Sequence, residues 1–288
     1  MYIYLNNKLV AEPEAVVSVY DHGFLYGDGI YETMRAYKGT VFMSERHIER
    51  LGRSASLLKL KIPDKKNIMH SVHKTLDANK LSEAYIRITV SRGKGPVGLD
   101  PALCKEPSFV VFAEKFREYP AAYYRDGVRL IIAKTRRNFI GALDPRIKSL
   151  NFLNNIIAKM EAKERGAYEA VMLNPQGFIA EGTISNIFFV KDEMLCTPSV
   201  EAGILDGITR EIVIDLAKKN GLRVREGLFS QEDIFKATEV FFTNTTSEVM
   251  PVSMVEDRTY EIGKITQRLR RLYKEEVKRY LKKTADSK

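Results

Sequence analysis

The 288-residue chain has little cysteine, little histidine and no long apolar run, and each shortage removes a class of protein. Two cysteines, Cys104 and Cys196, are too few for a disulfide framework and match no zinc spacing, so they read as structural thiols in a reducing compartment. No stretch approaches the roughly 18 uninterrupted apolar residues of a membrane span. The opening MYIYLNNKLVAEPEA carries neither a basic leader nor an apolar signal core, so a cytoplasmic protein without a membrane partner is expected. Of four histidines, only His70 and His73 share a helical face, with no third ligand; His22 and His47 are isolated. No metal site is expected.

What the chain does have is positive charge, a net +9. From Lys264 onward there are 10 Lys and Arg against 3 Asp and Glu, leaving 36 against 34 for everything before. The excess is one terminal helix, whose Ile265, Leu269, Leu272 and Tyr273 form an apolar stripe. A solvated helix face explains it better than a nucleic-acid footprint, so no nucleic-acid partner is expected.

Patterning predicts an α+β fold. MYIYLNNKLV reads as a hairpin about Asn6-Asn7, and VVSVYD and GIYETMRAYKGTVF as further strands. SERHIERLGRSASLLKL carries a helical stripe of Ile48, Leu51, Ala55 and Leu58, with Ser44 as N-cap. NIMHSVHKTLDANK is a second helix, and AYIRITVSRG and PSFVVFAEKF are strands. Short, two-sided strands favour α+β over a doubly wound parallel sheet. REYPAAYYRDG suggests a linker, giving a smaller N-terminal domain over 1–118, a connection over 119–126 and a larger domain over 127–288. In that larger domain, DPRIKSLNFLNNIIAKMEA places Lys148 just ahead of an amphipathic helix bearing Leu153, Ile156, Ile157 and Met160.

Several motifs invite chemistry. GKGPVG, residues 93–98, matches G-x-G-x-x-G, but Pro96 lies inside it and LDPALCKEP cannot open a helix, so a flexible loop is expected. GILDGITREIV offers a helix N-terminus at Ile208 and Thr209, where amides attract anions. TNTTSE, residues 243–248, offers a small polar turn that suits an anion nest. Together with Arg50 on a helix stripe, these favour an anionic cofactor. Glu181 lies at a strand end in apolar company, where a carboxylate is costly unless a cation faces it.

In chain order, YGDGIYETMRAY, HIERLGRSA, DPRIKSLN, EGTISNIF, GITR and TNTTSE resemble the class IV aminotransferases, the fold-type IV pyridoxal phosphate enzymes. The resemblance runs from about residue 4 to about residue 275. It implies the two-domain architecture of that group, with pyridoxal 5'-phosphate attached through its aldehyde carbon to Lys148. It sets Arg50, Ile208, Thr209, Asn244 and Thr245 around the phosphate, Glu181 against the ring nitrogen and Leu205 behind the ring. Lys148 must shed a proton to act as base. Family members are at least dimers, so a homodimer or higher homo-oligomer is expected.

Within the family, Tyr85 and Arg87 of AYIRITV resemble the Tyr-x-Arg of branched-chain enzymes, whose arginine takes the distal carboxylate of glutamate. Arg35 and the loop RGKGPVGLDP match the same subgroup. Val97 and Leu99 stand where D-amino acid enzymes carry an Arg-x-His pair. Thr246 and Ser247 are expected to bind the α-carboxylate through amides and hydroxyls. Tyr31 resembles the D-specific subgroup, and Phe152 replaces a tyrosine found in many relatives. The implied reaction is amino exchange between branched-chain L-amino acids and 2-oxoglutarate. D-amino acid or broad-range transamination and pyruvate-releasing aminodeoxychorismate lyase are the alternatives inside the family. A vitamin-binding protein without turnover and a basic nucleic-acid binder are the alternatives outside it.

Overall fold

Alternating burial along AYIRITV sets up the first of two units in the computed structural model, which describes residues 1–286. Ile86, Ile88 and Val90 are fully buried on one side of that strand, and Ile30, Met34 and Ala36 on the same side of the neighbouring GIYETMRAY. This unit comprises Met1–Arg117, Ile147–Asn151 and the end of the C-terminal helix from Leu281. Its strands are β1 (Tyr2–Leu5), β2 (Lys8–Ala11), β3 (Gly29–Tyr37), β4 (Thr40–Val41), β5 (Ala84–Ser91) and β6 (Ser108–Lys115). They lie in the order β2-β1-β6-β5-β3-β4, with every pair antiparallel. Short α1 (His22–Tyr26) leads into β3. Helices α2 (Ser44–Leu57) and α3 (Lys65–Ala78) bring Ile48, Leu51, Ala55, Ile68, Val72 and Leu76 onto the core formed by Met34, Ile86, Ile88 and Val111.

Local chemistry explains most of these elements. Asn6 and Asn7 both take positive φ, 44° and 71°, as a tight hairpin turn requires. Asp64 caps α3 by accepting from the Asn67 amide at 2.8 Å. Two expectations fail. Ser44 is the first residue of α2, not its cap; Met43 holds the cap position in left-handed conformation. VVSVYD is no strand: Val16, Val17 and Val19 are 73, 51 and 66% exposed, because β-branched residues without a neighbouring strand have no ladder to join.

The second unit comprises Glu118–Arg146 and Phe152–Tyr280. Its helices are α4 (Ala121–Asp126), α5 (Leu153–Glu164), α6 (Ile208–Lys219), α7 (Gln231–Phe235) and α8 (Lys264–Asp286), the last of which ends in the first unit. Its strands are β7 (Val128–Ile132), β8 (Glu169–Leu173), β9 (Ile179–Gly182), β10 (Asn186–Lys191), β11 (Met194–Pro198), β12 (Val224–Gly227), β13 (Glu239–Asn244), β14 (Glu248–Val255) and β15 (Arg258–Thr259). The sheet order is β12-β11-β10-β13-β14-β7-β8-β9, with β15 beside β14. Strand β9 ends the sheet yet is joined to β10 by only three residues, so the sheet curls back on itself. Val171, Ile179, Ile187, Phe189, Phe242 and Val252 fill the curl.

Two boundaries differ from those the sequence suggests. Within 119–126 the helix α4 covers Ala121–Asp126, and Tyr119, Tyr123 and Tyr124 pack on the second unit's core, so the stretch groups with that unit. Residues Ile147–Asn151, with Lys148, group with the first unit and not with the C-terminal domain expected for them. The reason is hydrogen bonding: Ser149 bridges to Ile30, Tyr31 N donates to Lys148 O at 2.9 Å, and Leu150 N donates to Gly29 O at 2.9 Å.

Helix α5 also departs from expectation. Its buried residues are Ala158 and Ala162, whereas Leu153, Ile156, Ile157 and Met160 are 69, 50, 44 and 55% exposed. The small side chains let the helix lie close on Ala170 and Met172, and the large ones face outward. Helix α8 follows its expected stripe, with Leu269 and Tyr273 buried.

Candidate active site

Lys148 is mounted on two elements of the first unit. Its carbonyl takes the Tyr31 amide of β3, and its own amide donates to Ser54 Oγ of α2 at 3.1 Å. Ile147 packs on the core beside it. The half-buried side chain then crosses Tyr31, with Nζ 4.4 Å from the ring centroid. The Arg87 guanidinium lies 4.1 Å from the same ring, a cation–π distance. The structure therefore brings Lys148, Tyr31 and Arg87 together.

The remaining candidates of this unit follow from strand register. In β3 and β5, Arg35 is opposite Tyr85, Thr33 opposite Arg87 and Tyr31 opposite Thr89. All of them alternate with the buried apolar residues, so they share the face away from α2 and α3. Arg87 Nε donates to Thr89 Oγ1 at 3.2 Å, which fixes the guanidinium over Tyr31. Arg35 is buried, its guanidinium 3.6 Å from the Phe116 centroid and 4.2 Å from that of Tyr37. Of the two arginines, Arg87 is the one beside the lysine.

Arg50 has partners to which the sequence motifs give no role. Its Nε and Nη2 donate to the two oxygens of Glu32 at 2.6 and 2.9 Å, and His47 Nδ1 contacts Glu32 Oε2 at 2.8 Å. All three side chains are buried. Burial alone would raise the Glu32 carboxyl, but the Arg50 and His47 charges and hydrogen bonds outweigh it and hold the group far below the usual carboxylate range. Burial pushes the His47 imidazole below its ordinary value; Glu32 opposes that, and the Arg50 and Lys148 cations reinforce it. His47 is thus neutral and donates through Nδ1–H.

In the second unit the centre is Glu181, 4% exposed on β9. Arg137 Nε donates to its Oε1 at 2.9 Å, and the Leu205 amide donates to Oε2 at 2.9 Å. Asn186 Nδ2 reaches both Oε2 at 3.3 Å and the Leu205 carbonyl at 2.9 Å. The cation that a buried Glu181 requires is therefore Arg137. A carboxylate has about four acceptor positions, and these three donors leave it capacity for one more. Leu205 meets Glu181 through its backbone, next to the start of α6.

An anion fits the N-terminus of α6. Its N-cap, Gly207, supplies no side-chain hydrogen bond, so the amides of Ile208 and Thr209 are not capped by a side chain. A Cβ at Gly207 would lie 1.9 Å from Asn186 Oδ1, so glycine alone fits beside that amide. One strand over from Asn186, the buried Thr243 hydroxyl has no partner among the described residues. The adjoining turn is closed by Asn244, whose Oδ1 accepts from the amides of Thr246 and Ser247 at 3.0 and 2.7 Å and from both hydroxyls. These bonds make an Asx turn that gathers the Thr246 and Ser247 donors on one oxygen. Thr245, between them and Asn244, is half-buried.

Sequence reasoning passed over Glu32, His47, Ser54, Arg137 and Asn186. Glu32 left a signal, being a carboxylate in phase with Ile30, Met34 and Ala36 on an apolar strand face. Arg137 left none, since the RR pair at 136–137 reads as surface charge. His70 and His73 are exposed, and among the described residues no three His, Cys, Asp or Glu side chains group as a metal set. The GKGPVG loop opens no helix: Gly93 has φ 97°, and a Cβ there would meet Glu106 O at 1.8 Å. Among the described residues no helix is long and apolar enough to cross a membrane.

Known proteins are similar to this chain. The family model for amino-transferase class IV matches residues 29–255. A putative branched-chain-amino-acid aminotransferase of Methanocaldococcus jannaschii is 44% identical over 279 residues, covering 96% of each chain. The aminodeoxychorismate lyase of Bacillus subtilis is 34% identical over 281 residues, covering 96% of this chain and 94% of its own. The crystal structure of a T.th. branched-chain amino acid aminotransferase complexed with N-(5'-phosphopyridoxyl)-L-glutamate superposes with a TM-score of 0.89. It is 31% identical and covers 95% of this chain and 93% of its own. With the family model spanning both the Arg50 and the Glu181 segments, this chain belongs to the class IV aminotransferases.

Proposed function

We propose that the chain is a pyridoxal 5'-phosphate-dependent transaminase exchanging the amino group between branched-chain L-amino acids and 2-oxoglutarate. The observation that carries the substrate reading is the Tyr31 ring, contacted by both the Lys148 amine and the Arg87 guanidinium. A planar cation suited to a distal carboxylate thus stands one ring away from the amine. The similarity to the M. jannaschii protein and to the T.th. enzyme bound to a phosphopyridoxyl-glutamate supports the same choice.

The residues fit the cofactor. Within the second unit the Ile208 and Thr209 amides and the Asn244-Thr245 turn would hold its phosphate, and the family resemblance alone gives Arg50 of the first unit the same role. Glu181 would meet the ring nitrogen with its remaining acceptor capacity, and Leu205 would pack behind the ring. When bound, the cofactor supplies an electron sink for negative charge at the substrate Cα. Lys148 would do the proton work, its Nζ taking up one proton and giving one up within each half-reaction: it removes the Cα proton of the amino donor in the first and delivers a proton to the carbon that was the acceptor's carbonyl in the second. The Tyr31 ring face would stabilise the amine while it carries a proton within each half. Arg137, Asn186 and the Leu205 amide keep the Glu181 carboxylate in one orientation, so its charge favours a protonated ring nitrogen.

Two free thiols suit a reducing cytoplasm. The exposed Leu153, Ile156, Ile157 and Met160 of α5 form an apolar stripe suited to burial against a second copy. These features support a cytoplasmic homodimer.

A half-reaction panel tests the reading. L-leucine and L-valine should shift the cofactor's absorbance, and 2-oxoglutarate should restore it. A shift with D-alanine but not L-leucine refutes the substrate choice. Pyruvate release from aminodeoxychorismate would instead assign the chain to the lyase reaction of its B. subtilis relative. Lys148→Ala must abolish the shift with every donor.

A further inference from the structure

We infer that Glu32, backed by His47, is the positioning residue that sets the plane of the Arg50 guanidinium for phosphate binding. Arg50 lies on α2, one helical turn before Ser54, the residue that holds the Lys148 amide at 3.1 Å. An arginine in that place has long rotatable torsions, and a single contact would leave its fork free to turn. Glu32 removes that freedom. It takes Nε and Nη2 together, at 2.6 and 2.9 Å, so the Nε edge is fixed and the opposite edge is directed away from the carboxylate. The carboxylate is itself held, because His47 Nδ1 contacts Oε2 at 2.8 Å and the Thr33 amide donates to the same oxygen at 3.1 Å. Glu32 is completely buried, and the side chains of His47 and Arg50 are 3 and 4% exposed, so water cannot substitute for any of the three.

The charge balance suits an incoming anion. Glu32 cancels the cost of burying Arg50 before any ligand arrives, and neutral His47 adds a donor without adding charge. A charged His47 would place a second cation beside Arg50 and weaken the Glu32 grip. A merely structural ion pair would tolerate any orientation of the fork; a positioning role requires the bidentate geometry.

The inference rests on the reading that Arg50 meets the cofactor's phosphate, and the experiment separates the two. Apoenzyme is titrated with pyridoxal 5'-phosphate and with pyridoxal, and the ratio of the two affinities is measured for wild type, Arg50→Gln, Glu32→Gln and His47→Gln. Arg50→Gln should lower the ratio most. Glu32→Gln should lower it about tenfold, a size typical of residues that orient a ligand-holding group, with pyridoxal affinity nearly unchanged. His47→Gln should lower it less, in the same direction. If Arg50→Gln leaves the ratio intact, the assignment of Arg50 to the phosphate is wrong. If Arg50→Gln collapses the ratio while Glu32→Gln does not, the positioning role is overturned. Should Glu32→Gln fail to fold, an unchanged ratio in folded His47→Gln overturns it equally.

Discussion

Replacing Gly207 by alanine should injure both stability and cofactor affinity, although alanine elsewhere often helps a helix. The backbone does not forbid it, since Gly207 has φ −78° and ψ 127°, open to any residue. By chain entropy alone the change would stabilise by about 0.4–1 kcal/mol. Sterics decide the sign. The new Cβ would lie 1.9 Å from Asn186 Oδ1 and 3.1 Å from its Cγ, so the carboxamide must leave. It gives up its bond to Leu205 O at 2.9 Å and its longer one to Glu181 Oε2 at 3.3 Å. Overpacking of a tight site costs about 1–3 kcal/mol, and the lost hydrogen bonds add roughly 1 kcal/mol or more. A net loss of about 2–3 kcal/mol follows after the entropic gain is subtracted. For a unit of this size that is a fall of roughly 4–12 °C in melting midpoint. Thermal melts of apoenzyme and titration with pyridoxal 5'-phosphate read the two effects separately. A Gly207→Ala protein as stable as wild type would refute the account of why glycine stands there.

Three further outcomes are expected. Folding lowers the proton affinity of both His47 and Glu32, so unfolding takes up protons and stability falls as pH falls. The His47 contribution is whole above its ordinary value of 6.5 and lost below it, and that of Glu32 is whole above 4.5 and lost in stronger acid. Urea midpoints measured across this range should therefore slope downward toward acid, and His47→Gln should flatten the upper part; a parallel slope contradicts the assignment. Arg137→Gln leaves the Glu181 carboxylate, 5% exposed, without its cation, which should cost about 3 kcal/mol, and Glu181→Gln in the same chain should recover part of it. Additive losses in that double-mutant cycle would show the pair to be uncoupled. In the proposed homodimer, Ile156→Lys should give monomers in sedimentation velocity without unfolding the chain; an oligomer unchanged from wild type would exclude the α5 face as the interface.

Much of the site is legible in the sequence because its residues announce themselves by type and setting. A glycine before Ile208-Thr209 marks an uncapped helix start, and the helix begins there. Reading GIYETMRAY and AYIRITV as strands is enough to bring Tyr31, Arg35, Tyr85 and Arg87 to a common face, because a strand's side chains alternate. The failures have equally local causes. VVSVYD has strand composition but no neighbour to pair with, which only tertiary structure reveals. The apolar stripe of α5 is visible in its period, but period does not tell which side faces the sheet; the alanines do. Arg137 is silent in the sequence, since it acts through an ion pair spanning 44 residues.

The bridge from Ile30 to Ser149 also carries a consequence for synthesis. A nascent chain that has reached Arg117 already holds all six strands of the first sheet and both helices that cover it. It lacks the short segment carrying Lys148, which must be translated past a stretch belonging to the other unit. At about 5–20 residues per second the wait is a few seconds. Until then Tyr31 N and Gly29 O, the groups that will hold the segment, have no partner from it. The sheet and its covering helices are therefore laid down first, and the reactive amine joins them later, ahead of the C-terminal helix end from Leu281.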